Sequence, residues 1–197
     1  MSGKPKFDEG AVIAAAVDVF WRHGYAAASI NDLTDATGLS RSSLYQRFGD
    51  KDGLFREALA AYTERVLRRM SEAQAATARG RLEALMRGFL RDGSAPPRPA
   101  GCLIARSCAE MVELSTRGQA ATLAAVDRQR DIVSEHLREG VANGELARDA
   151  DVDALAWYYL GVLQAVLNLP QAGADFAVLE RTIDVAMSAW PVTSPTR

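Results

Sequence analysis

Apolar residues recur at helical spacing along most of this chain. Between Asp8 and about His23 a single apolar face is formed, and its members are Val12, Ala15, Ala16, Val19 and Phe20. Spacings of three and four residues predict an amphipathic helix, because such positions lie on one side of a 3.6-residue turn. No segment alternates as a strand between hairpin turns. The pattern therefore predicts an all-α protein of about nine helices.

The later apolar stripes predict where the other helices begin and end. The predicted segments are Ser29 to Gly38, Leu39 to Phe48, Lys51 to about Ala76, Arg79 to Arg91, Gly101 to Leu114, Ser115 or Thr116 to about Ala142, Asp149–Asp153 to Pro170, and about Ala174 to Trp190. Three prolines in residues 92–100 cannot continue a helix, so a loop is expected there.

Residues Ser29 to Leu54 predict two short helices with a tight turn between them. Ser29 and Ser40 can each cap a helix, because a hydroxyl accepts from the free amides of the first turn. Gly38 stands where the first helix must end, and glycine takes a positive φ without a clash. This order is the helix-turn-helix arrangement, whose second helix enters the DNA major groove.

The second of these helices carries side chains that suit DNA. Leu39 to Phe48 contains no acidic residue. Arginine can donate bidentately to guanine, glutamine can pair with adenine, and hydroxyls contact bases or phosphates. The amides that begin the following helix can bind phosphate together with Lys51. An ordinary solvated helix is the alternative. The predicted DNA contacts are Ser29, Ser40, Arg41, Ser42, Ser43, Tyr45, Gln46, Arg47 and Lys51.

The stretch Ser29 to Leu54 resembles the DNA-binding signature of TetR-family transcriptional regulators. The matching positions are Ser29, Gly38, Leu39, Ser40, Leu44, Tyr45, Phe48, Lys51 and Leu54. The sequence departs at Thr34 and Thr37, where the family often has Ala, and at Ser42, where it often has Gly. The resemblance implies a three-helix DNA-binding domain over residues 1–50. Residues 51–197 would then form a helical domain for effector binding and dimerisation.

The net charge of the chain does not indicate nucleic-acid binding. The chain of 197 residues has a formal net charge of −2 and is 48% hydrophobic, as expected for a folded soluble protein. Residues Met1 to Arg56 contain seven basic and seven acidic side chains. A role in DNA binding therefore depends on where these charges lie rather than on their sum.

Several classes of function are disfavoured by absent motifs. The sequence has two histidines, His23 and His136, no E-x-x-H pair and no glycine-rich phosphate loop, so no enzyme, metal site or cofactor is expected. Cys102 and Cys108 are spaced for neither a redox pair nor zinc. No secretory signal and no stretch of ~20 apolar residues is recognised, so a cytoplasmic protein without membrane contact is expected.

The last two predicted helices are apolar on more than one face. One set is Val152, Leu155, Ala156, Tyr159, Leu160, Leu163, Val166 and Leu167, and the other is Phe176, Leu179, Ile183, Val185, Ala186, Met187 and Trp190. One face can serve the core while the rest forms a homodimer interface. A two-fold dimer would present two recognition helices to a palindromic operator in double-stranded DNA. A fully buried bundle within one chain is the alternative.

The resemblance implies that a small-molecule effector binds among the middle helices and releases a repressor from DNA. The candidate effector residues are Cys102, Arg106, Met111, Trp157, Tyr158 and Gln164. Arg106 is either a pocket cation or a surface arginine. Cys102 is either a small core residue or a thiol that senses electrophiles or oxidants. A helical interaction module without DNA binding is a further alternative.

Overall fold

The computed structural model describes residues 8–91 and 99–191 of the chain. Within these ranges it contains helices and no strand, which confirms the all-α fold class. Most of the predicted loop, residues 92–98, lies outside the described residues. The helices are α1 (Glu9–Ala27), α2 (Ile30–Thr37), α3 (Arg41–Phe48), α4 (Lys51–Ser71), α5 (Ala78–Arg87), α6 (Leu103–Ala109), α7 (Thr116–Ala142), α8 (Val152–Asn168) and α9 (Phe176–Ser188), with 3₁₀ turns at Met111–Glu113 and Leu169–Ala172.

Packing divides the chain into two compact units. The first unit is Met1–Arg65 with Cys102–Ala125, and the second is Val66–Gly101 with Val126–Arg197. Helices α4 and α7 supply residues to both. The sequence-based division at residue 50 concerns function rather than packing, and it remains a prediction.

Large apolar side chains from α1 to α4 form the core of the first unit. Phe20, Leu33, Leu44 and Phe55 are fully buried. The rings of Phe20 and Phe55 meet edge to face, with their centroids 5.3 Å apart. Burial of each such side chain stabilises a fold by roughly 1.5–3 kcal/mol. The helix-turn-helix pair is therefore held firmly against α1 and α4.

Polar contacts position α5 in the second unit. The Glu145 carboxylate accepts hydrogen bonds from the N–H of Ala78 at 2.8 Å and of Arg79 at 3.0 Å. An anion at this end satisfies free amides and interacts favourably with the helix dipole. At the other end of α5, Arg87 forms an ion pair with Asp184 of α9. Both ends of α5 are thus fixed by contacts that are distant in sequence.

Helices α4 and α5 are shorter than predicted. Helix α4 ends at Ser71 rather than near Ala76, although no glycine or proline marks the change. Beyond it, the N–H of Ala78 in the first turn of α5 donates to Glu145, a partner 67 residues away. Gly88 ends α5 earlier than expected, and its N–H closes the last turn on the Ala84 carbonyl.

The predicted helix Gly101 to Leu114 is interrupted at Glu110. Helix α6 stops at Ala109, and a separate 3₁₀ turn follows. Glu110 lies between them with φ −100° and ψ 20°, which is not helical. Its carboxylate accepts hydrogen bonds from backbone N–H groups of the first unit. This long-range contact explains the interruption, which no local sequence signal indicated.

Helix α8 presents apolar side chains on more than one face. An 18-residue window within Val152–Ala172 has a mean hydropathy of 1.3, so by length and composition alone this stretch could span a membrane, and the expectation that no such stretch exists was wrong. Helix α8 also buries Tyr159 and Leu163 in the second unit, as a core helix of a bundle does. Yet only 28% of the stretch is buried in the described chain. Its exposed residues therefore leave an apolar surface.

Candidate nucleic-acid interface

Helix α2 begins with a reciprocal cap. The N–H of Ser29 donates to Asp32 Oδ2 at 2.9 Å, and the N–H of Asp32 donates to Ser29 Oγ at 3.1 Å. This capping box satisfies two amides that would otherwise lack a partner. Hydrogen bonds from Ser29 hold the pKa of the Asp32 carboxyl below its ordinary value. Ser29 thus shapes the start of α2, and its contact with DNA remains a prediction.

The turn into α3 has the conformation that the sequence predicted. Gly38 adopts φ 70°, and its N–H donates to the Thr34 carbonyl at 2.9 Å. Ser40 then caps α3, because its Oγ accepts from the N–H of Ser43 at 3.2 Å. The same oxygen lies 2.9 Å from Ser42 Oγ. These hydroxyls form a polar cluster at the N-terminus of α3.

Helix α3 has a buried side and an exposed side. Leu44 is fully buried and Phe48 is nearly so, and the two side chains point into the first unit. Ser43 is half-buried beside them. The opposite face carries Arg41, Ser42, Tyr45, Gln46 and Arg47, all of which are exposed. Five of the residues predicted to contact DNA therefore lie on the exposed face of α3, and the helix itself contains no acidic residue.

Both arginines of α3 have partners inside the first unit. Arg41 Nη2 donates to Asn31 Oδ1 at 2.6 Å. Arg47 forms ion pairs with Glu9 and, at 3.0 Å, with Glu57, and its hydrogen bond to Glu9 raises the pKa of the guanidinium. Exposed pairs of this kind contribute only ~0–1 kcal/mol, so phosphates can compete for the same arginines.

Lys51 has a structural role that the sequence did not reveal. Its Nζ donates to the carbonyl oxygens of Tyr25 at 2.8 Å and Ala28 at 3.0 Å. The ammonium also lies 4.4 Å from the centroid of the Tyr25 ring. Partial burial lowers the pKa of Lys51. An ammonium has three donors, so one remains for the predicted phosphate contact.

Three predicted effector residues belong to the first unit. Cys102 is 2% exposed and precedes α6, where its thiol lies beside the Tyr62 hydroxyl. Burial raises the pKa of Tyr62. Arg106 and Met111 are half-buried. Cys102 therefore has a defined partner, while an effector contact of these three residues stays a prediction.

The other three predicted effector residues belong to the second unit. Trp157 and Tyr158 are exposed neighbours on α8. The Arg130 guanidinium lies 5.3 Å from the centroid of the Trp157 ring. Gln164 accepts a hydrogen bond at its backbone carbonyl from Asn168 Nδ2 at 2.7 Å. The exposure of Trp157 and Tyr158 suits a surface contact better than an enclosed ligand.

Sequence reasoning missed two side chains on α7 that have buried polar atoms. Gln129 is fully buried, and its Oε1 has no hydrogen-bond partner among the described residues. Both ring nitrogens of His136 also lack a partner there. A signal was present, because Gln129 interrupts a stripe formed by Ala125, Val133 and Leu137, all buried. A polar residue at a core position indicates a specific role.

Two family models match most of the chain. Residues 12–58 match the bacterial regulatory proteins of the tetR family. Residues 78–186 match the tetracyclin repressor-like C-terminal domain. The first match covers α2 and α3 with most of α1, and the second covers α5 to α8 with most of α9.

Relatives and solved structures match over nearly the full length. The HTH-type transcriptional repressor ComR of Escherichia coli K12 is 28% identical over 194 residues, covering 96% of this chain and 92% of ComR. The repressor AcnR of Corynebacterium glutamicum is 26% identical and is covered to 92%. A cysteine mutant of the TetR family regulator CifR, complexed with 26 bp operator DNA, is 31% identical, with a TM-score of 0.81 over 96% of this chain and 100% of CifR. The chain therefore belongs to the TetR family of bacterial transcriptional regulators and is not an enzyme.

Proposed function

We propose that this regulator is a cytoplasmic homodimeric repressor that binds a palindromic operator and is released by a small-molecule effector. Residues 1–50 bind the operator, while residues 51–197 provide the effector site and the dimer interface. The exposed, acid-free face of α3 is the observation that carries the proposal. CifR, which is similar over 96% of this chain, is bound to operator DNA in its solved structure.

The side chains of α3 divide DNA binding between sequence recognition and phosphate contact. Gln46 is exposed in the second turn of α3 and can pair bidentately with adenine. Arg41 lies near the start of the helix, where side chains reach base edges in helix-turn-helix proteins. The hydroxyls of Ser40, Ser42 and Tyr45 suit phosphate contacts, which position the protein without specifying sequence.

Exposed apolar side chains on α8 and α9 support a homodimer. Trp157 and Tyr158 on α8 are exposed, and Val185 on α9 is 69% exposed. Phe176 and Val178 add to the same kind of surface. Large exposed apolar patches on soluble proteins mark sites of association. A second copy of the chain is the proposed occupant, because two recognition helices are needed to span a palindrome.

The unpaired atoms of α7 support an internal effector site in the second unit. Gln129 Nε2 contacts only the Met70 Sδ at 3.9 Å, a weak acceptor, and Oε1 is unpaired among the described residues. Leaving a buried acceptor unsatisfied costs ~1–3 kcal/mol. A ligand with an N–H or O–H group would remove that cost. The proposed effector is thus an uncharged, largely apolar molecule with one hydrogen-bond donor.

His136 can offer further hydrogen-bonding groups to an uncharged effector. It lies seven residues after Gln129, on nearly the same face of α7 and about 10 Å along the helix axis. Burial lowers the pKa of His136, and the nearby charge of Arg81 lowers it further. The imidazole is therefore neutral at physiological pH and can offer one acceptor and one donor.

Sensing through Cys102 is the less favoured alternative. The thiol is 2% exposed, and it is engaged with the Tyr62 hydroxyl. A cysteine that reacts with electrophiles needs solvent access. Burial therefore favours a packing role for Cys102, and reversible ligand binding is the mechanism we propose.

Replacing Gln46 by Ala should weaken binding to the operator by about tenfold or more, because a bidentate base contact contributes ~1–3 kcal/mol. The operator is first selected with the wild-type protein from random duplexes, and affinities are measured by fluorescence anisotropy. Gln74→Ala is the matched control, since Gln74 is exposed in the link between α4 and α5. Equal affinities of Gln46→Ala and wild type would contradict the proposed role of α3.

Replacing Val185 by Glu should convert the dimer to a monomer, because it places a charge in the proposed apolar interface. Sedimentation velocity measures the mass, and operator affinity should fall at least tenfold, since each half-site then binds alone. Leu123→Glu is the matched control, because Leu123 is exposed on α7. A Val185→Glu variant that sediments as the wild type does would place the dimer interface elsewhere.

Replacing Gln129 by Leu should abolish the ligand response while leaving operator binding intact. We expect equal or higher thermal stability, because the substitution removes an unsatisfied buried amide. The probes are neutral phenols and alcohols with their methyl ethers as controls, screened by thermal shift and by operator release. Donors should stabilise the wild type only, and the ethers should stabilise neither protein. An unchanged response of Gln129→Leu would refute the proposed anchor.

A further inference from the structure

The link between α1 and α2 has an unusual backbone at its start. Gly24 adopts φ 80° and ψ 176°, although the helix continues formally to Ala27. The N–H groups of the next two residues, Tyr25 and Ala26, are therefore free of the normal helical pattern. Both donate to one acceptor, Glu110 Oε2, at 2.5 Å and 3.1 Å respectively. The Glu110 carboxylate, from a distant part of the chain, thus accepts hydrogen bonds from the two N–H groups that follow Gly24.

The same link is held on its carbonyl side by a cation. Lys51 Nζ donates to the carbonyl oxygens of Tyr25 and Ala28 at 2.8 Å and 3.0 Å. The link therefore lies between two opposite charges: the Glu110 carboxylate on its N–H groups and the Lys51 ammonium on its carbonyl groups. The charge of Glu110 in turn favours the ammonium form of Lys51, against the effect of burial on its pKa. Charge-assisted hydrogen bonds are roughly twice as strong as neutral ones.

The carboxylate of Glu110 lies so close to Gly24 that the contact depends on the absence of a side chain at that position. A Cβ added at Gly24 would lie 1.9 Å from Glu110 Oε1, which is far closer than atoms can approach. The positive φ also disfavours any other residue at Gly24. The carboxylate therefore packs directly on the glycine. The helix is interrupted at Glu110, and this non-helical backbone accompanies the placement of the carboxylate against Gly24.

The enclosed link precedes α2 in the chain, and the lysine that binds it follows α3. Ala28 precedes the cap residue Ser29 of α2. Lys51 begins α4, three residues after α3 ends at Phe48. A second contact reaches the same end of α4, where Ser115 Oγ donates to Asp52 Oδ1 at 2.6 Å. Residues 102–125 thus contact the link before α2 and the first turn of α4 through polar groups.

We infer that Glu110 is a positioning residue for operator recognition, which fixes the link between α1 and α2 and thereby the direction in which α3 is presented. The inference rests on the proposed function, because it needs a specific operator. Glu110 touches no DNA in this account. It acts through the amides of Tyr25 and Ala26, so its effect falls on specific binding rather than on attraction to phosphate.

Replacing Glu110 by Gln tests the inference. The amide keeps the size of the side chain but loses the charge and directs an NH₂ group near two N–H donors. Operator affinity should fall about tenfold, the effect of one hydrogen bond to a charged group. Affinity for an unrelated duplex at low salt should be unchanged, because the phosphate contacts remain. Glu113→Gln is the matched control, since Glu113 is exposed on the 3₁₀ turn that follows Glu110, and it should bind both duplexes as wild type does.

Hydrogen exchange separates positioning from loss of folding. The amides of Tyr25 and Ala26 should exchange faster in Glu110→Gln while the melting temperature changes little. Glu110→Asp keeps the charge on a shorter side chain, so its operator affinity should lie between those of wild type and Glu110→Gln. That intermediate value also tests the inference if Glu110→Gln does not fold.

Three results would overturn the inference. One is wild-type operator affinity in Glu110→Gln. Another is an equal loss of affinity for the operator and the unrelated duplex. The third is a Glu110→Asp variant as weak as Glu110→Gln. If the wild type itself selects no sequence from random duplexes, the proposed function fails instead, and hydrogen exchange still reports whether Glu110 protects the two amides.

Discussion

The burial of two side chains on one face of α3 determines what the rest of the molecule can do. Leu44 and Phe48 are four residues apart, so they lie on the same side of the helix and anchor it in the first unit. The opposite side must then face solvent. Because that side carries arginine, glutamine and hydroxyl groups and no carboxylate, it is complementary to the edges of bases and to phosphates. One face of this short helix anchors it in the first unit, and the opposite face is available for recognition.

The charged side chains of the first unit hold its helices in position more than they attract DNA. Lys51 is bound to two carbonyl oxygens, and Arg47 is bound to Glu9 and Glu57. These contacts direct α1, α3 and α4 with respect to one another inside that unit. A domain with equal numbers of acids and bases in residues 1–56 can still bind DNA, because its cations are placed near α3 while several acids are used in caps and ion pairs. Asp32 is such a case, since it closes the cap of α2.

The local features of the DNA-binding pair could be predicted from the sequence, because they depend on neighbouring residues. Ser29 and Ser40 act as caps, and Gly38 takes a positive φ. The interruption at Glu110 could not be predicted, because its cause is a hydrogen bond to residues more than eighty positions away. The end of α4 at Ser71 is similar, since it follows from the placement of α5. Gln129 was predictable in principle, as a polar residue within a buried stripe of α7.

A hydroxyl-radical footprint of the wild-type protein on its selected duplex tests most directly whether α3 is presented to DNA in duplicate. Two copies of α3 should give two protected patches on each strand, related by a two-fold axis and centred about one helical turn, or ~10 bp, apart. Protection should lie on the side of the duplex where both major-groove segments face the protein. A single protected patch, or uniform weak protection without a two-fold axis, would show that α3 is not presented to DNA by a symmetric dimer.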